Sequence, residues 1–363
     1  MIIIIGSGII GLYIAEKLLQ NKKKVLILDT SEVKSNATYA SVGMLAPLIE
    51  AKPYENQLLE LMIDSKKLWD KKLKENLIAD VIGLKKNLSL CIAQDRDEFE
   101  EIKFKRDFLK KLGYETEILN KSETLIREPN LNSNIEGSLI FNQHNQVEPD
   151  LLKNYLIKEI KKMGGLIKKY KSIRKFNFIN NKVEIGNSVF LAEKLIICCG
   201  AWSNQLLEKS ENISFPMRPV KGISMIFETD KNMFNNNLWF RNIYIAPRKN
   251  NNLAIGATED EKGFEEEVTL DEIFFLTKHL WETLPELEKL KFKEVRAGLR
   301  STVIDGNPII GNLNKNKNII CSFGHYRHGI LLAPITANIV LDYVLEKKIP
   351  NKYCFFSPKR FNL

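Results

Sequence analysis

Apolar positions along this chain follow two rhythms. Ile2 to Ile5 is an all-apolar run closed by glycine, Ile10 to Gln20 follows at helical spacing, and Val25 to Asp29 is a second apolar run. Continuous runs of this length predict strands covered on both faces, so the chain starts as strand, helix, parallel strand. Helical spacing returns from Pro53 to Leu77 and from Asp95 to Leu112, the latter with Asp95 or Asp97 as cap and Gly113 as stop. A strand is predicted between them at Asn87 to Ala93. Beyond Glu128-Pro129 come a strand at Gly137 to Asn142 and a helix at Pro149 to Met163, closed by Gly164-Gly165.

The next block is β-rich. Short strands are predicted at Leu166 to Lys169, Ile173 to Phe178 and Val183 to Ile185, with Asn180-Asn181 as a turn. Lys194 to Cys199 is a fresh buried strand running into Gly200 and a helix at Ala201 to Leu207, so strand, glycine and helix occur in that order twice. Long strands fill Met217 to Ala257, including Ile243 to Arg248 and Leu253 to Ala257 joined through a polar tip at Lys249 to Asn252. An amphipathic helix spans Leu270 to Leu284. Short strands at Pro308 to Gly311 and Ile319 to Phe323 then lead to a long helix from about Gly329.

Composition narrows the function classes. With 363 residues and 44% hydrophobic content, the chain has room for two domains around full cores. Its most apolar stretches are broken by glycines or by Pro334, Asn338 and Asp342, so no membrane span is expected. Only Met1 precedes the first core strand, without a basic, cleavable leader, and a cytoplasmic location is expected. The five cysteines show no C-x-x-C spacing and read as reduced thiols, and the four histidines offer no metal-ligand pattern. The net charge of +9 is spread in short lysine groups among asparagines, which reads as a solvated basic surface with mild steering of anionic substrates. No DNA partner is expected.

Chemistry is carried first by Gly6 to Gly11, GSGIIG, placed after the first strand and opening a helix, with Ile9 and Ile10 among the expected cofactor contacts. Gly6 permits the tight turn, Gly8 lets a pyrophosphate approach the backbone, and Gly11 with Ala15 lets helix and strand pack closely. The helix start offers free N–H groups and a positive dipole end to the phosphates. Asp29, followed by Thr30, closes the second strand 18 residues past Gly11, where it can accept from ribose hydroxyls and would repel a 2′-phosphate. This fingerprint alone does not separate NAD from FAD.

Further segments carry a resemblance over nearly the whole chain. They are ATYASVGMLAP (Ala37 to Pro47), NQVEP (Asn145 to Pro149), LIICCGAWS (Leu195 to Ser203), MRPVKG (Met217 to Gly222), YIAPR (Tyr244 to Arg248), AGLRSTVIDGNPIIG (Ala297 to Gly311) and GHYRHGILLAPITA (Gly324 to Ala337). In their order and spacing they resemble the D-amino-acid oxidase family of FAD-dependent flavoproteins, and within it the glycine-oxidising branch tied to bacterial thiazole (thiamine) assembly.

The resemblance implies that Ala40, Ser41, Gly43 and Met44 lie along the flavin and its ribityl chain, and that Ile173 touches the adenine side. Cys199, Gly200 and Trp202 would lie beside the cofactor. The turn of His325, Tyr326, Arg327 and His328, with Gly329, Ile330 and Leu331 opening the last helix, would aim N–H groups at the flavin edge where charge collects on reduction. Arg300 and Tyr244 match the pair that holds the amino-acid carboxylate, a task suited to the planar arginine fork. His328 stands where the family usually has asparagine, and it reads as packing beside the flavin. No cysteine lies in AGLRSTVIDGNP and no histidine between Gly11 and Pro47, so FAD is expected to be non-covalent.

The expected fold class is α/β, a discontinuous Rossmann-like FAD-binding domain (1–84, 143–215, 296–363) plus a β-rich substrate domain with a mixed or antiparallel sheet (85–142, 216–295). The expected activity is oxidation of a small amino acid, glycine first, to glyoxylate, ammonia and peroxide through an imine, with oxygen or another acceptor taking the electrons. The resemblance further implies a homo-oligomer, a tetramer in many relatives. The alternatives are a D-amino-acid or sarcosine dehydrogenase or oxidase, an FAD-dependent oxidase of a modified tRNA base, and a flavin-binding protein without turnover.

Overall fold

The computed structural model describes residues 1–31, 36–75, 78–142, 144–241, 243–286 and 289–362. The expected domain boundary at residue 143 and the predicted helix end at Leu77 lie outside them. Two large sheets organise the fold. The first has six strands in the order Ile309–Asn312, Ile319–Phe323, Lys194–Ile197, Ile2–Ile5, Val25–Thr30 and Leu166–Tyr170. All its pairings are parallel except that of Ile309–Asn312 with Ile319–Phe323. Ile2–Ile5 sits near its centre and is buried throughout, which is why that run is apolar without alternation.

Helices Ile9–Gln20, Asn56–Glu75, Pro149–Lys162 and Gly329–Val344 cover one face of this sheet in a continuous apolar core. The other face is covered by helix Ser203–Glu211 and a three-stranded antiparallel sheet, Asn177–Ile179, Lys182–Ile185 and Ser188–Leu191. Asn180 and Asn181 both take positive φ, as the two-residue hairpin turn predicted there requires. The strand predicted at Ile173 to Phe178 is not one: only Asn177–Ile179 pairs, and the residues before it run over the sheet edge.

Pro334 lies inside the helix Gly329–Val344 and cannot donate to the carbonyl four residues back. Trp69 and Ser65, from Asn56–Glu75, supply the missing donors. Trp69 Nε1 reaches the carbonyls of Ile330 (3.2 Å) and Leu331 (3.1 Å), and Ser65 Oγ donates to Leu331 at 2.6 Å. The first turn of this helix is therefore held in place from its neighbour.

The second sheet has eight strands in the order Lys291–Val303, Met217–Glu228, Asn252–Gly256, Ile243–Pro247, Asn237–Phe240, Ser89–Ala93, Gly137–Phe141 and Glu117–Asn120. It is mixed, since Asn237–Phe240 runs parallel to Ser89–Ala93 and the other pairings are antiparallel. Lys291–Val303 pairs with Met217–Glu228 from Lys291 to Val303, so the expected boundary at 296 falls within a strand.

Under this sheet Lys221 and Glu272 form an ion pair at 2.7 Å, with side chains 0% and 1% exposed. Lys221 Nζ also donates to the Glu267 carbonyl at 2.7 Å. Burial pushes the Glu272 carboxyl up, but Lys221 and the Thr269 donors outweigh it and hold it below the usual carboxylate range. Removing one partner strands the other charge, and Lys221→Met is expected to destabilise the protein by about 3–5 kcal/mol at pH 7, read as earlier unfolding in urea. Because the folded pKa is depressed, this contribution is present above the unfolded value of about 4.3 and fades as pH falls through the folded one, so wild type and variant should converge in acid.

Candidate functional site

A cavity of about 410 Å³ runs between the two sheets. At one end lie Asp29, Thr30 and the stretch Ser172 to Arg174; in the middle, Gly6, Ser7, Gly8, Ile9 and Ile10; at the other end, Leu299 and Ser301 from the second sheet and the turn His325 to Arg327. Cys199, Gly200 and Trp202 line its side, as do Ser41, Gly329 and Ile330.

The turn after the first strand leaves this wall clear. Gly6 has φ +110°, and a Cβ on it would overlap the Cys198 carbonyl. One on Gly11 would overlap the Gly6 carbonyl, whereas one on Gly8 meets nothing nearer than Thr38 Oγ1 at 3.7 Å. Gly6 and Gly11 are therefore fixed by packing within the protein, while the space in front of Gly8 is left for a ligand. Helices Ile9–Gln20 and Gly329–Val344 both start at this cavity, neither capped by the side chain of the residue before it and neither with an acidic residue in the first turn. Their positive ends face one volume, an arrangement suited to phosphates and to a ring that gains negative charge. Thr38 Oγ1 accepts from the Ile9 N–H at 3.0 Å. Asp29 accepts from the Ser7 hydroxyl at the rim. These features fit a dinucleotide, its phosphates toward Gly8 and its ribose near Asp29.

A second cavity, of about 30 Å³, adjoins the first through Ser41, Arg327 and Ile330. Gly43, Met44, Glu50, Trp239, Tyr244, His328 and Leu331 also lie on its wall. On the same measure it has room for about two waters. Trp239 and Tyr244 pack with ring centroids 5.0 Å apart and form its roof.

Charge concentrates where the cavities meet. Glu259 Oε1 accepts from Arg327 Nε (2.8 Å), from Arg327 Nη2 and from the Tyr326 hydroxyl. Burial alone would lower the Arg327 pKa, but Glu50 and Glu259 outweigh it and raise it further above the usual arginine value. Burial raises the Glu259 carboxyl, yet Tyr326 and Arg327 bring it below the usual range. His325 is buried, shares a hydrogen bond with Thr336 Oγ1 at 3.0 Å, and is depressed by burial to about 3. Burial likewise lowers His328, against the opposing pull of Glu50.

Most residues singled out from sequence thus gather around these two cavities. Gly11, Ala40 and Arg300 line neither. Gly11 sits behind the turn, and the Ala40 carbonyl accepts from Ser224 Oγ at 2.8 Å. Arg300 packs over Gly222, with Nη1 donating to the Thr258 carbonyl at 2.9 Å. It stands back from both cavities, within electrostatic reach of Glu259. Thr38, Glu50, Trp239 and Glu259 were not singled out from sequence. Thr38 lies inside the ATYASVG segment and could have been found there; the other three are brought in by long-range packing, without a local signal.

A sequence profile described as "FAD dependent oxidoreductase" matches residues 1–343. The chain is similar to the glycine oxidase of Bacillus licheniformis, 28% identical over 356 residues, covering 97% of this chain and 94% of that one. It is similar to the hydrogen cyanide synthase subunit HcnC of Pseudomonas protegens, 25% identical over 400 residues, covering 99% and 96%. Among solved structures, the crystal structure of glycine oxidase from Geobacillus kaustophilus superposes with a TM-score of 0.91 at 25% identity, covering 98% of this chain and 97% of that one.

The glycines separate cofactor binding from folding. Gly8→Ala is expected to leave the unfolding of the apoprotein unchanged while weakening FAD at least tenfold, about 1.4 kcal/mol, in a titration followed by flavin fluorescence. Gly11→Ala, which drives a methyl group into the Gly6 carbonyl, should lower both.

Proposed function

The chain belongs to the FAD-dependent oxidoreductase family, whose profile spans residues 1–343, and from that premise we propose that it oxidises glycine. It is an FAD-dependent amino-acid oxidase, similar over nearly its full length to glycine oxidases. Bound non-covalently, FAD would supply the two-electron acceptor for the Cα–H bond and pass the electrons to oxygen.

The remaining contributions come from the chain. In this reading 1–84, 143–215 and 296–363 carry the cofactor, and 85–142 with 216–295 form the roof over the substrate. The helix ends at Ile9 and Gly329 favour negative charge on the cofactor. Tyr244, on the wall of the small cavity, and Arg300, on strand Lys291–Val303 of the second sheet, would hold the substrate carboxylate and fix the Cα–H direction. Of the Arg300 fork, Nη1 is engaged by carbonyls, at 2.9 Å from Thr258 and 3.4 Å from Lys221, and the other nitrogens remain available among the described residues. A histidine base is not required, because a neutral amine needs no proton removed during Cα–H cleavage. His325, neutral and engaged with Thr336, suits a packing role.

The observation that carries glycine as substrate is that the space beneath Trp239 and Tyr244, beyond its junction with the larger cavity, amounts to only about 30 Å³, which leaves no room for a large side chain. Glycine, oxygen and water would give glyoxylate, ammonia and hydrogen peroxide, the imine hydrolysing after release. A thiazole-forming step could instead consume that imine.

Anaerobic titration tests the reading: glycine should bleach the flavin more efficiently than sarcosine, D-alanine or D-proline, and a clear preference for one of these would overturn it. Arg300→Ala should keep the protein yellow. Losing two charge-assisted bonds of about 1.5–3 kcal/mol each should lower kcat/KM by roughly 10² to 10⁴, and near-normal turnover would remove Arg300 from its role.

A further inference from the structure

Glu50 is the carboxylate on the wall of the small cavity, and the protein makes little use of it. Its side chain is 14% exposed, and its nearest cation, Arg327 Nη1, stands 3.7 Å away, beyond hydrogen-bond length. Arg327 gives Nε and Nη2 to Glu259 instead. Among the described residues Glu50 accepts no hydrogen bond. A carboxylate on a cavity wall with open acceptor positions is available to a donor that enters the cavity.

Its backbone is nonetheless fixed. Lys105, from helix Arg96–Lys111, donates to the carbonyls of Ile49 and Ala51 at 2.6 Å each, on either side of Glu50. The segment is thereby tied from behind while the carboxylate faces the cavity. Trp239 and Tyr244 roof the same space, Arg327 stands on its wall bonded to Glu259, and Arg300 lies behind them within electrostatic reach of Glu259.

We propose that Glu50 is a specificity-determining residue that receives the ammonium group of the substrate. The inference rests on the amino-acid oxidase reading of this site and adds its amine subsite. A zwitterion fits the arrangement end to end, its carboxylate toward the guanidiniums and its ammonium toward the open acceptors of Glu50; the ammonium gives one proton to water before the Cα–H bond breaks, and the neutral amine that reacts keeps two donors for Glu50. A carboxylate of the same size that carries a hydroxyl in place of the amine has no positive charge to offer. The site therefore selects amino acids over hydroxy acids.

The test compares glycine with glycolate on the FAD-loaded enzyme. In Glu50→Gln the KM for glycine should rise at least tenfold, while glycolate binding, read as a perturbation of flavin absorbance, should stay within twofold or tighten. Parallel weakening of both ligands would show that Glu50 acts only through Arg327, and an unchanged glycine KM would show that it does not meet the amine; either overturns the proposal. If Glu50→Gln does not retain flavin, Glu50→Asp is read the same way: glycine should weaken with glycolate unmoved, and parallel movement again counts against it. Failure of the parent reading looks different, because wild-type flavin would then be bleached by none of the amino acids.

Discussion

The arrangement depends on one close approach, that of the first helix to the turn before it. Gly11 rests against the Gly6 carbonyl, and Gly6 against Cys198, with no volume for a side chain at either contact. This proximity brings the start of Ile9–Gln20 to the cavity wall, where of its first N–H groups that of Ile9 is taken by Thr38 Oγ1. The last long helix reaches the same wall by another route. Its proline-broken first turn is repaired by Ser65 and Trp69, leaving Gly329 and Ile330 facing the same volume. Two dipoles meeting on one cavity would be unfavourable without a negative ligand, and the helices are otherwise well packed.

The second sheet is more than a lid, because it holds the segment that separates the cavities. Four consecutive carbonyls of that segment are engaged from the roof. Arg296 donates to Tyr39 at 3.1 Å, Ser224 to Ala40 at 2.8 Å, and Arg248 to Ser41 and Val42 at 3.3 and 3.4 Å. Burial pulls the Arg248 guanidinium down to about 10, still charged at neutral pH. With its carbonyls turned to the roof, the segment presents Ser41 to both cavities and Gly43 to the smaller one. The geometry beside the cofactor is thus set jointly by residues more than 180 positions apart in sequence.

That division explains what the sequence could reveal. The buried strands, the glycine turn, the Asn180-Asn181 hairpin and most helix limits are local patterns, and they were legible. The run at Ile173 to Phe178 has strand composition but no partner to pair with until Asn177, so composition misled there. Lys291–Val303 shows charged residues through its first half and was not read as a strand, since its pairing along Met217–Glu228 is long-range. At the site, glycines and motif segments marked the cofactor face. Glu50, Trp239 and Glu259 carry no such mark, because their positions follow only from how the sheets meet.

The same reasoning bears on the two guanidiniums. Arg300 was singled out from AGLRS and Arg327 from the turn before the last helix, and the structure supports both from one segment. Thr258 offers its carbonyl to Arg300, and Glu259 offers its carboxylate to Arg327. That segment is fastened by Lys221, whose backbone exchanges hydrogen bonds with Asp260 at 2.8 and 2.9 Å and whose Nζ is buried against Glu272 and the Glu267 carbonyl. Lys221 also gives its own carbonyl to Arg300. A buried ion pair is a weak source of net stability compared with apolar packing of the same volume. Here it lies on the residue that fastens the segment holding Arg300 and Arg327, so that a shift of Lys221 would move both cations together.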